Sequence, residues 1–247
     1  PDRVLVLEVE GAVRAMTAWF STVLSIPGKD QIFRAAYLYA VCVHPDWRGK
    51  GLASKLLEGA GLYFRDRGIQ AVTTVPASQE LHGFFAKQGF FECFTQDERQ
   101  WTPELAKKAP ETLPKIKLVN AAEYGVLREG LLSKLGHIGL PMDALLYQAG
   151  CCRIDGGGMY LVGAPAGPAA LCAEGTGDKT LLVKELIGSP EAVDQIAAVL
   201  PQLLPKFGGT YRTLGDSVPF GMMKWLSPEL DQAWDRDIRA YLGLAFD

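Results

Sequence analysis

The sequence predicts an α/β fold on a mixed sheet (α+β in character), and three observations predict it. Short runs rich in β-branched and aromatic residues alternate with stretches whose apolar residues recur at helical spacing. The alternation opens on an antiparallel hairpin, so the sheet is mixed rather than purely parallel. A similar order of elements then returns in the second half of the 247 residues.

The hairpin comes first. In RVLVLEVEGAVRAMTAWFSTVLSI, alternating Val4, Leu5, Val6, Leu7 and Val9 lead to a turn at Glu10-Gly11, and a second β-rich run carries Trp19, Phe20 and Val23. FRAAYLYAVCVHP is nearly continuously apolar from 35 to 43, which predicts a central strand buried on both faces and stopped by Pro45. GLASKLLEGAGLYFRDRG sets Leu52, Leu56, Ala60 and Tyr63 on one helical face, joined by Leu57 and Phe64, with Gly68 as terminator. IQAVTTVPAS reads as a strand, QELHGFFAKQGF as a short helix ending at Gly89, and FECFTQDERQWT as a further strand.

Residues 103–114 are rich in proline and lysine and read as a linker, with room for a short helix over 103–108. They divide a first unit, 1–102, from a second, 115–247. In the second unit KIKLVNA is a strand, AAEYGVLREGLLSKLG and MDALLYQAG are helices, and MYLVGAP, AALCAEGTG and TLLVKELIG are three strands. SPEAVDQIAAVLPQLL is a helix with Ser189 as N-cap and Pro190 at its first position. TYRTLGDS and FGMMKWLS read as two strands, and PELDQAWDRDIRAYLGLAFD as a closing helix. The two units match element by element once a missing start before Pro1 is allowed.

Composition removes several function classes. A formal net charge of -3 lacks the basic excess of a nucleic-acid binder. No apolar run has membrane length, and PDRVLVLEVEG is too short and charged for a signal peptide. Five cysteines, with no CxxC or Cys/His ligand spacing, predict neither a disulfide framework nor a metal site and fit a reducing cytoplasm. The adjacent Cys151 and Cys152 read as small buried hydrophobes.

The chemistry concentrates in WRGKGLASKLL, where two glycines and two cations precede a helix. The first turn of a helix leaves backbone N–H groups unpartnered and carries the positive end of the dipole, so it suits a phosphate. A Walker P-loop needs GxxxxGK followed by Ser or Thr, and nothing fits. A dinucleotide GxGxxG would use Gly49 and Gly51 but meets Ser54 at its third position, and no acidic residue follows where a ribose partner would stand.

VCVHPDWRGKGLASKLL resembles the signature of the GNAT superfamily of N-acetyltransferases: a strand ending Val-x-Val-x-Pro, then Arg-x-x-Gly-x-Ala formed by Arg48, Gly51 and Ala53, then an amphipathic helix. FFAKQGF resembles the family's second landmark, Leu-Tyr-x-Lys-x-Gly-Phe. The resemblance covers residues 1 to about 100 and lies nearest the enhanced-intracellular-survival branch, whose members pair two GNAT-like domains, the second degenerate. It implies acetyl-CoA as cosubstrate. The diphosphate would lie on Arg48, Gly49, Lys50, Gly51, Leu52 and Ala53, and the pantetheine arm along the free backbone of Val41, Cys42 and Val43. Ser78 stands where relatives often carry a cofactor-contacting Asn. The implied reaction is direct acetyl transfer to a primary amine of a small molecule or peptide.

Relatives often draw the leaving-group proton from the Tyr of the Leu-Tyr pair, and here the pair reads Phe84-Phe85. General acid help contributes about 10²–10⁴-fold, so its loss slows transfer without forbidding it. Tyr39, His82 and Asp247 are the remaining candidates for acid or base. Tyr37 and Tyr39 lie on the strand entering the site, with core packing the plainer account of both, as a surface role is for His82. Asp247 would bring a terminal carboxylate, as the resemblance to the branch implies. In the second unit Gly188 stands alone before the helix and Glu191 would repel phosphates, so that unit is expected to wall the acceptor pocket or form a homo-oligomer contact rather than bind CoA. Phe220, Met222, Met223 and Trp225 are expected in the core. A non-catalytic acyl-CoA-binding regulatory protein is the competing reading.

Overall fold

The computed structural model describes residues 3–27, 31–154 and 156–246. Strand β1 (Val4–Val9) turns through Glu10 and Gly11, both at positive φ, into β2 (Ala12–Ile26), the geometry that matches the twist of a tight antiparallel hairpin. β3 (Gln31–Val43) runs antiparallel to β2, and a 3-10 turn at Pro45–Trp47 leads to α1 (Leu52–Arg65). Leu52, Leu56, Leu57, Ala60 and Phe64 form the buried stripe of α1. β4 (Ala71–Thr74) lies parallel to β3, and α2 (Gln79–Lys87) and β5 (Phe91–Gln100) complete this half.

The short helix α3 (Pro103–Ala106) occupies the predicted linker. Beyond it come β6 (Lys115–Leu118), α4 (Ala121–Leu132), β7 (His137–Gly139) and α5 (Met142–Ile154). A meander follows in β8 (Gly158–Ala164), β9 (Gly167–Gly175) and β10 (Leu181–Ile187), then α6 (Pro190–Ala198) and α7 (Leu200–Leu203). The chain closes through β11 (Phe207–Trp225) and α8 (Pro228–Ala233).

Three expectations are corrected. TYRTLGDS and FGMMKWLS are not separate strands but parts of the 19-residue β11, with a register shift between Thr213 and Val218 where the polar Gly215, Asp216 and Ser217 stand. The closing helix stops at Ala233, and residues 239–246 are instead irregular chain that bridges Phe94 through Ala240 and His137 through Tyr241. The third concerns β3, which is buried only as far as Leu38; Ala40 and Cys42 are exposed.

All eleven strands form one sheet, in the order β1-β2-β3-β4-β11-β10-β9-β8-β6, with β5 on β11 and β7 on β2. The sheet is therefore shared. β11 pairs with β10 in its first part and with β4 in its last, while β5 accompanies it throughout. Phe220, Met222, Met223 and Trp225 are buried as expected, the first, third and fourth among Phe33, Ala35 and Tyr37, and Met222 beside Leu57 and Phe64.

Where β5 meets the irregular part of β11, Asp97 accepts from Arg99 at 2.7 Å and from the Ser217 hydroxyl at 2.8 Å. The Arg99 hydrogen bond, together with Ser217, holds the Asp97 carboxyl below its ordinary value of 3.8. A lowered folded value stabilises the fold above the unfolded pKa and loses that contribution as pH falls through the folded one. In thermal melts Asp97→Asn is expected to lie below the unmodified chain at pH 6, with the gap closing once pH drops below 3.8; a gap that stays constant down to pH 2 would remove this role.

Candidate active site

Strands β3 and β4 are hydrogen-bonded only from Ala35↔Ala71 to Leu38↔Thr74. β4 then ends, while β3 continues along β2 as far as Val43, so among the described residues one edge of β3 beyond Leu38 has no strand beside it. A bulge accompanies the parting. Ala40 takes a positive φ of 56° and the β2 register slips between Met16 and Ala18, with the Thr17 hydroxyl donating to the Tyr39 carbonyl at 3.2 Å. The predicted pantetheine segment, Val41, Cys42 and Val43, is this free edge.

Next to it the chain makes its glycine turn. Gly49 has φ +74° and Gly51 φ +76°, conformations that L side chains rarely adopt, and a Cβ at either would meet nothing within 4 Å. Backbone geometry, rather than crowding from the protein, requires glycine here. Gly51 is the N-cap of α1 and offers no side-chain cap, so the first-turn N–H groups of Leu52, Ala53 and Ser54 are left for another acceptor. The contrast with α6 is direct: there the Ser189 hydroxyl accepts from the Ala192 N–H at 3.2 Å and Glu191 occupies the first turn.

Arg48, Gly49, Gly51, Leu52, Ala53 and Ser54 line a cleft of about 490 Å³ that continues past Val41 to Phe85. Lys50 does not line the cleft, but its ammonium lies 4.3 Å from the centre of the Trp47 ring, which does. Ser78 is the exposed N-cap position of α2, makes no capping bond and does not line the cleft.

A second chamber of about 300 Å³ adjoins the first, sharing Val41, Leu81 and Phe85. Tyr37, Tyr39, Thr74, Val75 and Phe246 form much of its wall. The Tyr39 hydroxyl lies 2.6 Å from that of Tyr147, on α5. The bond to Tyr39, together with burial, pushes the Tyr147 hydroxyl up from its ordinary value. The Tyr37 hydroxyl accepts the Phe246 N–H at 3.2 Å. Phe20, Tyr39, Tyr147 and Phe246 touch one another ring to ring, with centroids 4.9–6.3 Å apart.

His82 lines neither chamber; its Nδ1 is 2.6 Å from a Glu92 carboxylate oxygen, a satisfied histidine on α2. Asp247 lies outside the described residues. Phe85 is buried edge-on against Phe84 and Phe90, and its ring carries no proton to give.

What brings Phe246 to the chamber is a buried ionic anchor. Arg128, fully buried on α4, donates to both carboxylate oxygens of Glu185 at 3.2 and 3.1 Å, to the Ile138 carbonyl at 2.9 Å and to the Leu242 carbonyl at 2.8 Å. Tyr124 donates to Glu185 at 2.6 Å, and Lys184 donates to the Ala245 carbonyl. Gly243, at φ +72°, is needed because a Cβ there would come within 2.1 Å of Glu185. None of Phe20, Arg128, Tyr147, Lys184 and Phe246 is legible as a site residue from its neighbours in sequence. Gly243 near the chain's end is the one local sign that backbone passes close to something there.

Residues 1–90 match the family model described as an acetyltransferase (GNAT) domain. No curated protein matches the chain. Among solved structures, Eis1 from Mycobacterium abscessus is 16% identical over 94% of this chain and 67% of its own, with a TM-score of 0.62. A GCN5-related N-acetyltransferase from Anabaena variabilis is 15% identical over 92% of this chain and 63% of its own, with a TM-score of 0.69. A tandem GNAT protein from the clavulanic acid biosynthesis pathway is 16% identical over 92% of this chain and 85% of its own, with a TM-score of 0.52. The chain thus spans roughly two thirds of the Mycobacterium and Anabaena proteins it resembles. The parted strands, the uncapped glycine turn and these likenesses agree on one point: residues 1–90 match an acetyltransferase (GNAT) domain, and the chain shares its fold with tandem and single GNAT proteins of known structure.

Proposed function

We propose that the chain moves an acetyl group from acetyl-CoA directly to a primary amine. One observation carries this: an uncapped helix N-terminus beside Arg48 opens onto a cleft that leads to the parted edges of β3 and β4. Arg48 and the N–H groups of Leu52, Ala53 and Ser54 would hold the diphosphate, and the β3 edge at Val41, Cys42 and Val43 would hold the pantetheine amides. The thioester then sits where the two chambers join, beside Phe85, and the amine arrives through the second chamber. Its attack forms the C–N bond and breaks the C–S bond; the amine proton is lost and the thiolate gains one.

With no hydroxyl at position 85, Tyr39 is the proposed proton donor. The role assigns Tyr147 as the donor of the bond the two hydroxyls share at 2.6 Å, so that the Tyr39 O–H is left for the chamber. Residues 1–102 are the proposed catalytic unit, 103–114 the linker, and 115–247 a unit that binds no CoA and instead supplies Tyr147 and Phe246 to the acceptor side. A reducing, cytoplasmic setting suits five free cysteines.

Calorimetry with coenzyme A, followed by thiol release from acetyl-CoA with amines present, tests the reading. Heat of binding with amine-dependent thiol release is expected, and no heat from coenzyme A would refute it. Tyr39→Phe is expected to lower kcat by about 10²-fold with coenzyme A affinity unchanged; an unchanged kcat would assign the proton to solvent. Phe85 favours the second reading, a non-catalytic acyl-CoA sensor, which tight coenzyme A binding without thiol release for any amine would select.

A further inference from the structure

Two thiols that the proposed reaction does not use meet in the core of the second half. Cys152, on α5, and Cys172, on β9, are both fully buried, and their sulfurs lie 3.5 Å apart. The backbones beneath them are also close. The Gly157 N–H donates to the Cys152 carbonyl at 2.8 Å, and a Cβ on Gly157 would collide with the carbonyl oxygen of Ala173, the residue after Cys172. Buried cysteines are ordinarily inert, and Cys93, just as buried, has its thiol pushed up to about 12 by desolvation. Cys152 differs, because its sulfur accepts from Gln148 Nε2 at 3.3 Å as well as meeting Cys172. The hydrogen bond with Cys172, then that from Gln148, holds the Cys152 thiol below its ordinary value, while the same contact raises Cys172.

We infer that Cys152 and Cys172 form a reversible oxidation site, closed to a disulfide by a peroxide, and that closure disturbs the bond between Tyr147 and Tyr39. The Cys152 sulfur attacks a peroxide oxygen; the O–O bond breaks, leaving a sulfenic acid and water. The Cys172 sulfur then attacks the Cys152 sulfur, the S–S bond forms, the S–O bond breaks and a second water leaves. Two thiols and one hydrogen peroxide give one disulfide and two waters. Ile154, two residues past Cys152, is 81% exposed, so local opening of the last turn of α5 admits a molecule the size of water. Closure shortens the 3.5 Å separation to about 2.05 Å. β9 is hydrogen-bonded along both edges, to β8 and β10, so α5 supplies most of the movement. Tyr147 stands on that helix five residues before Cys152, and its hydroxyl lies 2.6 Å from that of Tyr39. A displacement of about 1 Å there is enough to break the bond.

The test titrates the full chain, reduced and freed of reductant, with hydrogen peroxide. Non-reducing peptide mapping is expected to show a Cys152–Cys172 link, about 2 Da lighter than the two reduced peptides, that dithiothreitol removes while Cys93 stays a thiol throughout. Cys151→Ala should leave the link intact, and Cys172→Ala should leave Cys152 as a sulfenic or sulfinic acid. No link in the folded chain, a link that Cys151→Ala abolishes, or oxidation of Cys93 at the same rate would overturn the site. The ring resonances of Tyr39 and Tyr147 are expected to shift on linking, and unchanged resonances would overturn the coupling. Resting on the acetyl-transfer reading, amine turnover by the linked chain is expected to fall about tenfold and to return with dithiothreitol; unchanged turnover would also overturn the coupling. A reduced chain that turns over no amine would refute the transfer reading instead, while mapping and the ring resonances still decide the site.

Discussion

Gly51→Val is expected to abolish measurable coenzyme A binding at micromolar concentrations while leaving a folded chain. The φ of +76° at Gly51 lies in the left-handed region, where a β-branched residue is strained by about 1–2 kcal/mol or more. Because a Cβ meets nothing within 4 Å, the backbone can relax outward instead of unfolding, and that relaxation re-aims the first-turn N–H groups. Each hydrogen bond lost to a charged oxygen costs about 1.5–3 kcal/mol, or about 10–100-fold in Kd. Ser54→Glu isolates the electrostatic part. A carboxylate in the first turn should stabilise the free helix by about 0.3–1 kcal/mol and raise Tm slightly, yet weaken coenzyme A binding by repelling the diphosphate. Opposite signs in melting and calorimetry are the expected pair of results. If both variants bind coenzyme A as the unmodified chain does, the glycine turn is not the diphosphate site.

The second large effect is expected from Arg128→Met. Removing one partner of a buried ion pair strands the other, and Glu185 is as buried as Arg128 itself. The expected loss is about 3–5 kcal/mol, a fall in Tm on the order of 10 °C for a chain of this size. Arg128→Met with Glu185→Leu should recover much of it, since an apolar pair of similar volume is often no less stable than the ions. Function would not recover with stability. The Leu242 carbonyl loses its donor in both variants, so residues 241–246 should exchange amide protons faster and the ring of Phe246 should leave the second chamber. Reduced amine turnover with unchanged coenzyme A affinity in the double variant is the expected signature. Full turnover in the double variant would show that the anchor stabilises the fold without serving the site.

The sequence by itself determined the elements whose signals are local: the Glu10-Gly11 hairpin, the stripe of α1, the Ser189 cap of α6 and the glycine turn after β3. Each depends on backbone preferences or side-chain spacing within a few residues, which is information a single chain carries. The half of the candidate site proposed to hold the diphosphate was legible for that reason. Only the tertiary structure decided that β11 runs unbroken through both halves, that β3 sheds its burial after Leu38, and that residues 239–246 form a buried irregular tail rather than a helix. These depend on pairings between residues far apart in sequence: β11 continues past its polar middle because β5 runs beside it, and the tail forgoes helical hydrogen bonds because Arg128, Lys184, His137 and Phe94 are placed to satisfy or flank its backbone. The second chamber, proposed as the acceptor side, was hidden because its surroundings, from Phe20 to Phe246, meet only when a distant helix and a distant tail are folded against one strand.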